Sequence, residues 1–166
     1  MSIARIDRFA VPPADDEAFL ADWDAAAAPG VLHRAIRPDA PVRYVAIAGA
    51  AGAGEPYELL REAGDPDGIG GVVLIARWTR AATDSSVPFV AATDSSVRFV
   101  AAWDALRAVL AARRGHLGAR LYGGAEDFVE VAHWSSPLML QRAEQDPEVV
   151  VLPGLLDAAI YQVVRR

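Results

Sequence analysis

The chain reads as an α+β protein, two tandem units closing into one intramolecular barrel. Three observations predict this. A short pattern occurs twice, as Phe19-Leu20-Ala21-Asp22-Trp23-Asp24 and as Phe99-Val100-Ala101-Ala102-Trp103-Asp104, 80 positions apart (99 − 19). Phe and Trp at i and i+4 share one helical face, so each copy predicts a helix that buries an aromatic pair. The punctuation around the copies corresponds as well: Phe9 to Phe89, Asp16 to Ser96, Gly30 to Gly115, and Asp65-Pro66 to Asp146-Pro147. Finally, strand-like and helix-like runs follow the order β-α-β-β-α-β in each half, and such self-similarity decides the architecture before any single motif does.

The elements follow from local chemistry. Residues 3–11 alternate as a strand that Pro12-Pro13 ends. Asp15-Asp16 offers a helix N-cap, and Pro29-Gly30 supplies the stop. Strands are expected at 31–37 and 42–48, separated by the turn residues 38–41. An Ala/Gly run at 48–54 leads to a second helix over 55–63, and 72–79 is a strong strand. In the second half a strand is expected at 87–92, and Ser95-Ser96 caps the second Phe/Trp helix, which runs to Arg113-Arg114. That basic pair complements the helix C-terminus. Strands at 116–122 and 128–134, a helix at 136–144 and a strand at 157–164 complete the order. Each half is thus a ferredoxin-like unit, covering helices on one sheet face and leaving the other face in need of a partner. The expected division is a first unit at 1–80, a linker at 81–86 and a second unit at 87–166. Residues 81–90 and 91–100 are near-identical decapeptides, which fits a short linker duplication better than a binding array.

Composition bounds the function. The 166 residues are 53% hydrophobic and 23% charged, enough to bury a core. All 16 basic residues are arginine and the net charge is −6, which argues against nucleic acid or an anionic membrane as partner. The absence of cysteine excludes disulfides, thiol nucleophiles and thiolate metal sites. No apolar run reaches the ~18–20 residues of a membrane helix and no signal peptide is evident, so a cytoplasmic protein is expected.

The two Phe/Trp helices, Pro29-Gly30, the strand Phe128-Val129-Glu130-Val131-Ala132-His133-Trp134 and the trailing Asp146-Pro147 resemble the antibiotic biosynthesis monooxygenase family of the dimeric α+β barrel superfamily. The resemblance covers nearly the whole chain, as two fused copies. It implies a barrel that two subunits ordinarily make, here a monomeric pseudo-dimer or a weak homodimer. It further implies a ligand pocket between sheet and helices. Relatives include cofactor-independent oxygenases, haem-degrading enzymes and polyketide cyclases, so fold alone does not name the reaction.

Family members that oxidise aromatics without a cofactor carry Asn-x3-Trp on the third strand. Glu130 and Trp134 stand at the matching positions of the second half, and Glu replaces Asn. With a period of two, Glu130, Ala132 and Trp134 share a face and His133 lies on the other. Trp134 would stack on an aromatic ring, and Glu130 or His133 would act as base on a phenol. Arg120 and Tyr122, on one face of the neighbouring strand with His116 and Gly118, would hold the oxyanion. The predicted catalytic set is therefore Glu130, His133 and Arg120, and the substrate-binding set Trp134, Tyr122, Trp103 and His116. The structural alternatives are a core tryptophan, a salt-bridged glutamate and exposed strand residues. In the first half the corresponding positions are Ala46, Ala48 and Ala50, which read as a structural copy or as a widened cavity. His33, His116 and His133 show no metal-ligand spacing, and neither expected second helix carries the histidine by which haem-degrading relatives ligate haem. The expected partners are a small aromatic molecule of polyketide type and O2, with no metal or organic cofactor. A cyclase using the same pocket and a non-catalytic binding protein are the alternatives.

Overall fold

The computed structural model describes residues 2–66, 70–80 and 92–166, with side chains of the last segment from residue 96. The strands are β1 (Ile3–Phe9), β2 (Val31–Ala35), β3 (Tyr44–Gly49), β4 (Glu55–Gly64), β5 (Val72–Thr79), β6 (His116–Gly123), β7 (Asp127–Trp134) and β8 (Leu155–Arg165). The helices are α1 (Asp16–Ala25), α2 (Ala92–Ala111) and α3 (Pro137–Glu144). All strand pairs are antiparallel, and they close into a barrel of order β1-β3-β2-β8-β5-β7-β6-β4. The pairing repeats at a step of four strands: β1 lies between β3 and β4, and β5 lies between β7 and β8.

Closure sorts the side chains into two layers. The lumen takes Ile6, Val45, Tyr57, Val73, Val129 and Tyr161 among others. The outer faces carry two separate cores under the helices. Under α1, Phe19 meets Tyr44 at 4.5 Å and Phe9 at 5.1 Å, and Trp23 closes the cluster. Under α2, Phe99 stacks flat on Phe128 at 4.4 Å, and Trp103 is fully buried. The α2 pair is buried as its spacing predicts, whereas Phe19 and Trp23 are only half-buried; each aromatic contact adds about 0.5–1.5 kcal/mol beyond its buried area.

Four local expectations are corrected. The helix expected at 55–63 is the ten-residue strand β4, so the first half lacks a second helix. Its residues favour helix weakly, but β4 satisfies the edges of both β1 and β6 and puts Tyr57 and Leu59 into the lumen. Backbone pairing on two sides outweighs a propensity difference of a few tenths of a kcal/mol per residue. Asp16 does not cap α1. Its carboxylate accepts from Arg43 at 2.8 Å, which ties α1 to the start of β3 and holds the Asp16 carboxyl below its usual range. Ser95 and Ser96 lie inside α2 rather than before it, and the Ser96 hydroxyl accepts from Arg80 at 3.2 Å. α2 ends at Ala111, and Arg113 pairs with Asp146 at 2.7 Å instead of serving the helix terminus. The strand expected at 87–92 falls outside the described residues except for Ala92, which is already helical. No helix among the described residues is long and apolar enough to cross a membrane.

α1 ends at Ala25, with Ala27 at φ +46°, before the expected stop; Gly30 instead leads into β2 with φ +106°, and a Cβ there would stand 2.5 Å from the Ile47 carbonyl oxygen. A Gly30→Ala variant should lose about 1–3 kcal/mol of stability, read from urea denaturation, through left-handed strain and this clash.

Candidate functional site

β7 divides its side chains as the period of two requires. Glu130 and Trp134 point outward beneath α2 and α3, and Val129, Val131 and His133 point into the lumen. On α2, Phe99, Trp103, Arg107 and Leu110 form one stripe against the sheet. This puts the Arg107 guanidinium 2.8 Å from the Glu130 carboxylate, with the residues 5% and 1% exposed. The guanidinium also sits over the Trp103 ring, 5.4 Å from its centroid.

The pair is buried and incompletely satisfied. The contact closes without hydrogen-bond alignment, so Glu130 Oε1 and Arg107 Nη1 and Nε lack directed partners, as do the indole N–H groups of Trp78, Trp103 and Trp134. Trp103 faces Glu130 closely enough to favour its ionised form, yet makes no hydrogen bond of normal geometry. Burial pushes the Glu130 carboxyl above its ordinary range against the pull of Arg107 and Trp103, and burial pulls the Arg107 guanidinium down. Buried polar atoms are ordinarily paired, so these groups carry a desolvation cost that the ion pair only partly offsets.

A cavity of about 180 Å³ opens beside the pair. Ala76, Trp78, Trp134, Leu110 and Leu140 line it, and its mouth runs along Val150, Val151 and Leu155, which are exposed. An apolar cavity of ~150 Å³ accepts benzene, so this one takes one substituted ring. The positions related to Glu130 and Trp134 in β3 tell the opposite story. Ala46 is covered by Phe19 and Trp23 of α1 and widens no cavity there, whereas Ala48 borders the cavity of the barrel lumen.

The predicted site residues are split between two places. Glu130, Trp134, Trp103 and His116 gather on the outer face. Arg120, Tyr122 and His133 line the barrel lumen. His116 was expected on the face of Arg120 and Tyr122. A register shift between His116 and Gly118 turns it outward instead, edge-on to Trp134 at 5.1 Å. Burial and the nearby Arg107 push its pKa down to about 4, so His116 is neutral at pH 7 and its buried Nε2 has no hydrogen-bond partner. Arg120 pairs with Glu62 at 2.8 Å, and Tyr122 shares the lumen. Tyr57 stands on β4 in the lumen.

Arg107 escaped the sequence reading. Its signal was present: it follows Trp103 by four positions, a charge within an otherwise apolar helical stripe.

No family profile matches the chain, and no curated protein matches it in sequence. Solved structures do match. An uncharacterised ferredoxin-fold protein from Listeria monocytogenes, described as related to antibiotic biosynthesis monooxygenases, superposes with TM-score 0.62 at 15% identity over 100% of this chain and 96% of its own. A monooxygenase-like protein from Listeria innocua gives 0.63 at 14% identity, covering 100% and 95%. A haem-degrading enzyme from Listeria monocytogenes gives 0.59 at 14% identity, covering 96% and 97%. The chain has the ferredoxin-type barrel fold of these monooxygenase-like proteins, as the Phe/Trp helices and the strand ending in Trp134 led one to expect. At such identities the likeness is one of fold. A haem does not fit the described outer site: a macrocycle of four methine-linked pyrrole rings exceeds a cavity sized for one ring, and α3 carries no histidine.

Removing one partner of a buried pair leaves the other charge stranded. Arg107→Met should therefore cost about 3–5 kcal/mol in urea denaturation, and the double variant Arg107→Met/Glu130→Leu should recover most of it. His33 supplies a second stability test. It is buried, its Nδ1 donates to the Val45 carbonyl at 3.2 Å, and burial pulls its pKa down to about 4. The unfolded chain then binds a proton that the native state refuses. Stability contributed by His33 is complete above pH 6.5 and falls by ~3 kcal/mol as pH drops from 6.5 to 4. The slope across that window should be shallower in His33→Gln.

Proposed function

We propose that the cavity beside Arg107 and Glu130 is the active site of a cofactor-independent, monooxygenase-like enzyme acting on a small phenolic aromatic. The observation that carries this reading is the buried Arg107–Glu130 pair opening onto an apolar cavity with its polar valences unmet. Trp134 forms the aromatic wall and the edge of His116 fixes its ring. Glu130 takes the phenolic proton, a step its raised pKa favours. Once Glu130 is neutral, Arg107 has lost its anion and turns its charge to the new phenolate. The phenolate passes one electron to O2, and the radical pair combines at a ring carbon. Loss of water, with Glu130 returning the proton, leaves a quinone. The balance is phenol plus O2 to quinone plus water.

The cavity favours one ring, or two at most with the mouth residues in contact, over a fused three-ring polyketide. Arg120, Tyr122 and His133 take no part, because the sheet stands between them and Glu130. The repeated strand pairing supports a tandem origin with the division between Gly64 and Val72, since β5 pairs with β7 and β8 rather than with strands of the first half.

The test is O2 uptake with phenol and 1-naphthol as probes. The wild-type chain should consume O2 and form the quinone, and Glu130→Gln should lose about 100-fold or more of that rate. Full turnover in the Glu130→Gln/Trp134→Ala double variant would remove the site from the reaction. Conversion without O2 uptake would favour a cyclase-type or other proton-transfer reaction in the same cavity, and saturable binding without conversion would favour a binding protein.

A further inference from the structure

The helices cover the outer face of the second half unevenly. α2 packs over β6 and β4, and α3 packs over β7. The outer side of β8 is left open: Leu155 and Ala158 are exposed and Ile160 is half-buried. The opening is a groove of about 440 Å³, with Leu74, Ala158 and Ile160 on the sheet and Ile36 and Pro137 on either side. Leu74, Glu144 and Ala158 also line the cavity beside Glu130, so the two hollows abut.

Strand register sets how they align. Glu130 on β7 is paired with Ala76 on β5, and Ala76 is paired with Ala158 on β8. The three residues form one row across the strands. Neighbouring strands lie ~4.8 Å apart, so the row carries from Glu130 to Ala158 in about 10 Å. Two successive alanines make the row a trench, and the larger Leu74 and Ile160 form the row beside it. A phenol whose hydroxyl meets Glu130 lies with its ring over Ala76, and the substituent opposite the hydroxyl is carried toward Ala158. A substituent next to the hydroxyl is turned along the strands instead, toward the walls of Trp78 and Trp134. The charges around the groove do not call for an ionic group. Arg37 and Asp39 pair with each other at 2.7 Å, and Glu144 is exposed. What the groove offers a ligand is apolar floor, and each methylene fully buried there strengthens binding up to about fourfold.

We propose that the substrate is a phenol with an apolar chain para to its hydroxyl, the ring in the cavity at Glu130 and the chain in the groove over Leu74, Ala158 and Ile160. This rests on the reading of that cavity as a phenol site, and it adds which phenol the site selects.

The probes are 4-methylphenol, 4-hexylphenol and 2-hexylphenol, titrated into the full chain under argon and followed by two-dimensional NMR. The indole signals of Trp78 and Trp134 report the ring, and the methyl signals of Ile36 and Ile160 report the chain. Both para phenols should shift the indoles, and 4-hexylphenol should shift the two isoleucines as well. It should bind at least about tenfold more tightly than 4-methylphenol, and at least about tenfold more tightly than 2-hexylphenol, which has the same apolar area in the wrong direction. Ala158→Trp, at an exposed strand position, should fill the trench and bring 4-hexylphenol within about threefold of 4-methylphenol in that variant. Ile160→Thr, which keeps the β-branched shape, should lower the hexyl-to-methyl ratio by about threefold. Equal affinity of 4- and 2-hexylphenol, unmoved isoleucine signals, or a chain preference undiminished in both variants overturns the chain assignment alone. Absence of saturable indole shifts with every phenol overturns the phenol site and the chain assignment together. Binding graded by the para chain, without O2 uptake, supports the chain assignment and overturns the oxygenase chemistry.

Discussion

The structure depends on two antiparallel seams, β4 with β6 and β2 with β8. Each joins a strand from early in the chain to one from late in it. Without them β4, β1, β3 and β2 would be one open sheet with bare edges, and β8, β5, β7 and β6 another. Closure removes the edges and gives every strand two neighbours. It also creates two environments from one sheet. The lumen is shared by both halves, and each outer face belongs to the helices that cover it.

The two outer faces use this arrangement differently. Beneath α1, aromatic rings fill the space over Ala46, and the Asp16–Arg43 pair fastens the helix at its first turn. Beneath α2 and α3 the sheet presents Glu130 where β3 presents Ala46, and α2 answers with Arg107. Two charges in so dry a place carry a desolvation cost that packing alone would not select. A pair of apolar side chains of similar size would be at least as stable there. The unmet indole N–H groups add to that cost. Stability does not explain the arrangement, and the proposed reaction with a bound phenol supplies a reason for it. The missing second helix of the first half has the same logic. With β4 and a short connection in its place, the first half covers its sheet by α1 alone and has no groove between two helices.

The same division bears on the lumen. A barrel of eight strands has an interior that side chains can fill, and at the plugged end they do so. Toward the rim apolar side chains such as Ile47, Val131 and Val163 alternate with polar ones, and the filling stops short. The histidines there are set apart from the outer chemistry by a single layer of backbone.

What local sequence determined is everything with a short period. The Phe19/Trp23 and Phe99/Trp103 helices and the strand that sets Glu130 and Trp134 on one face and His133 on the other follow from spacings of two or four residues. The tertiary structure decided what depends on distant partners. Residues 55–64 became a strand because β1 and β6, far apart in the chain, both needed an edge partner. His116 left the face of Arg120 because pairing with β7 admits a register shift, and one residue of shift exchanges the two faces of a sheet. Arg107 and Glu130 met because the helix stripe of Phe99 and Trp103 docks on β7 in one register. Periodicity tells which face a residue takes within its own element; which other element that face meets is settled only by closure of the barrel.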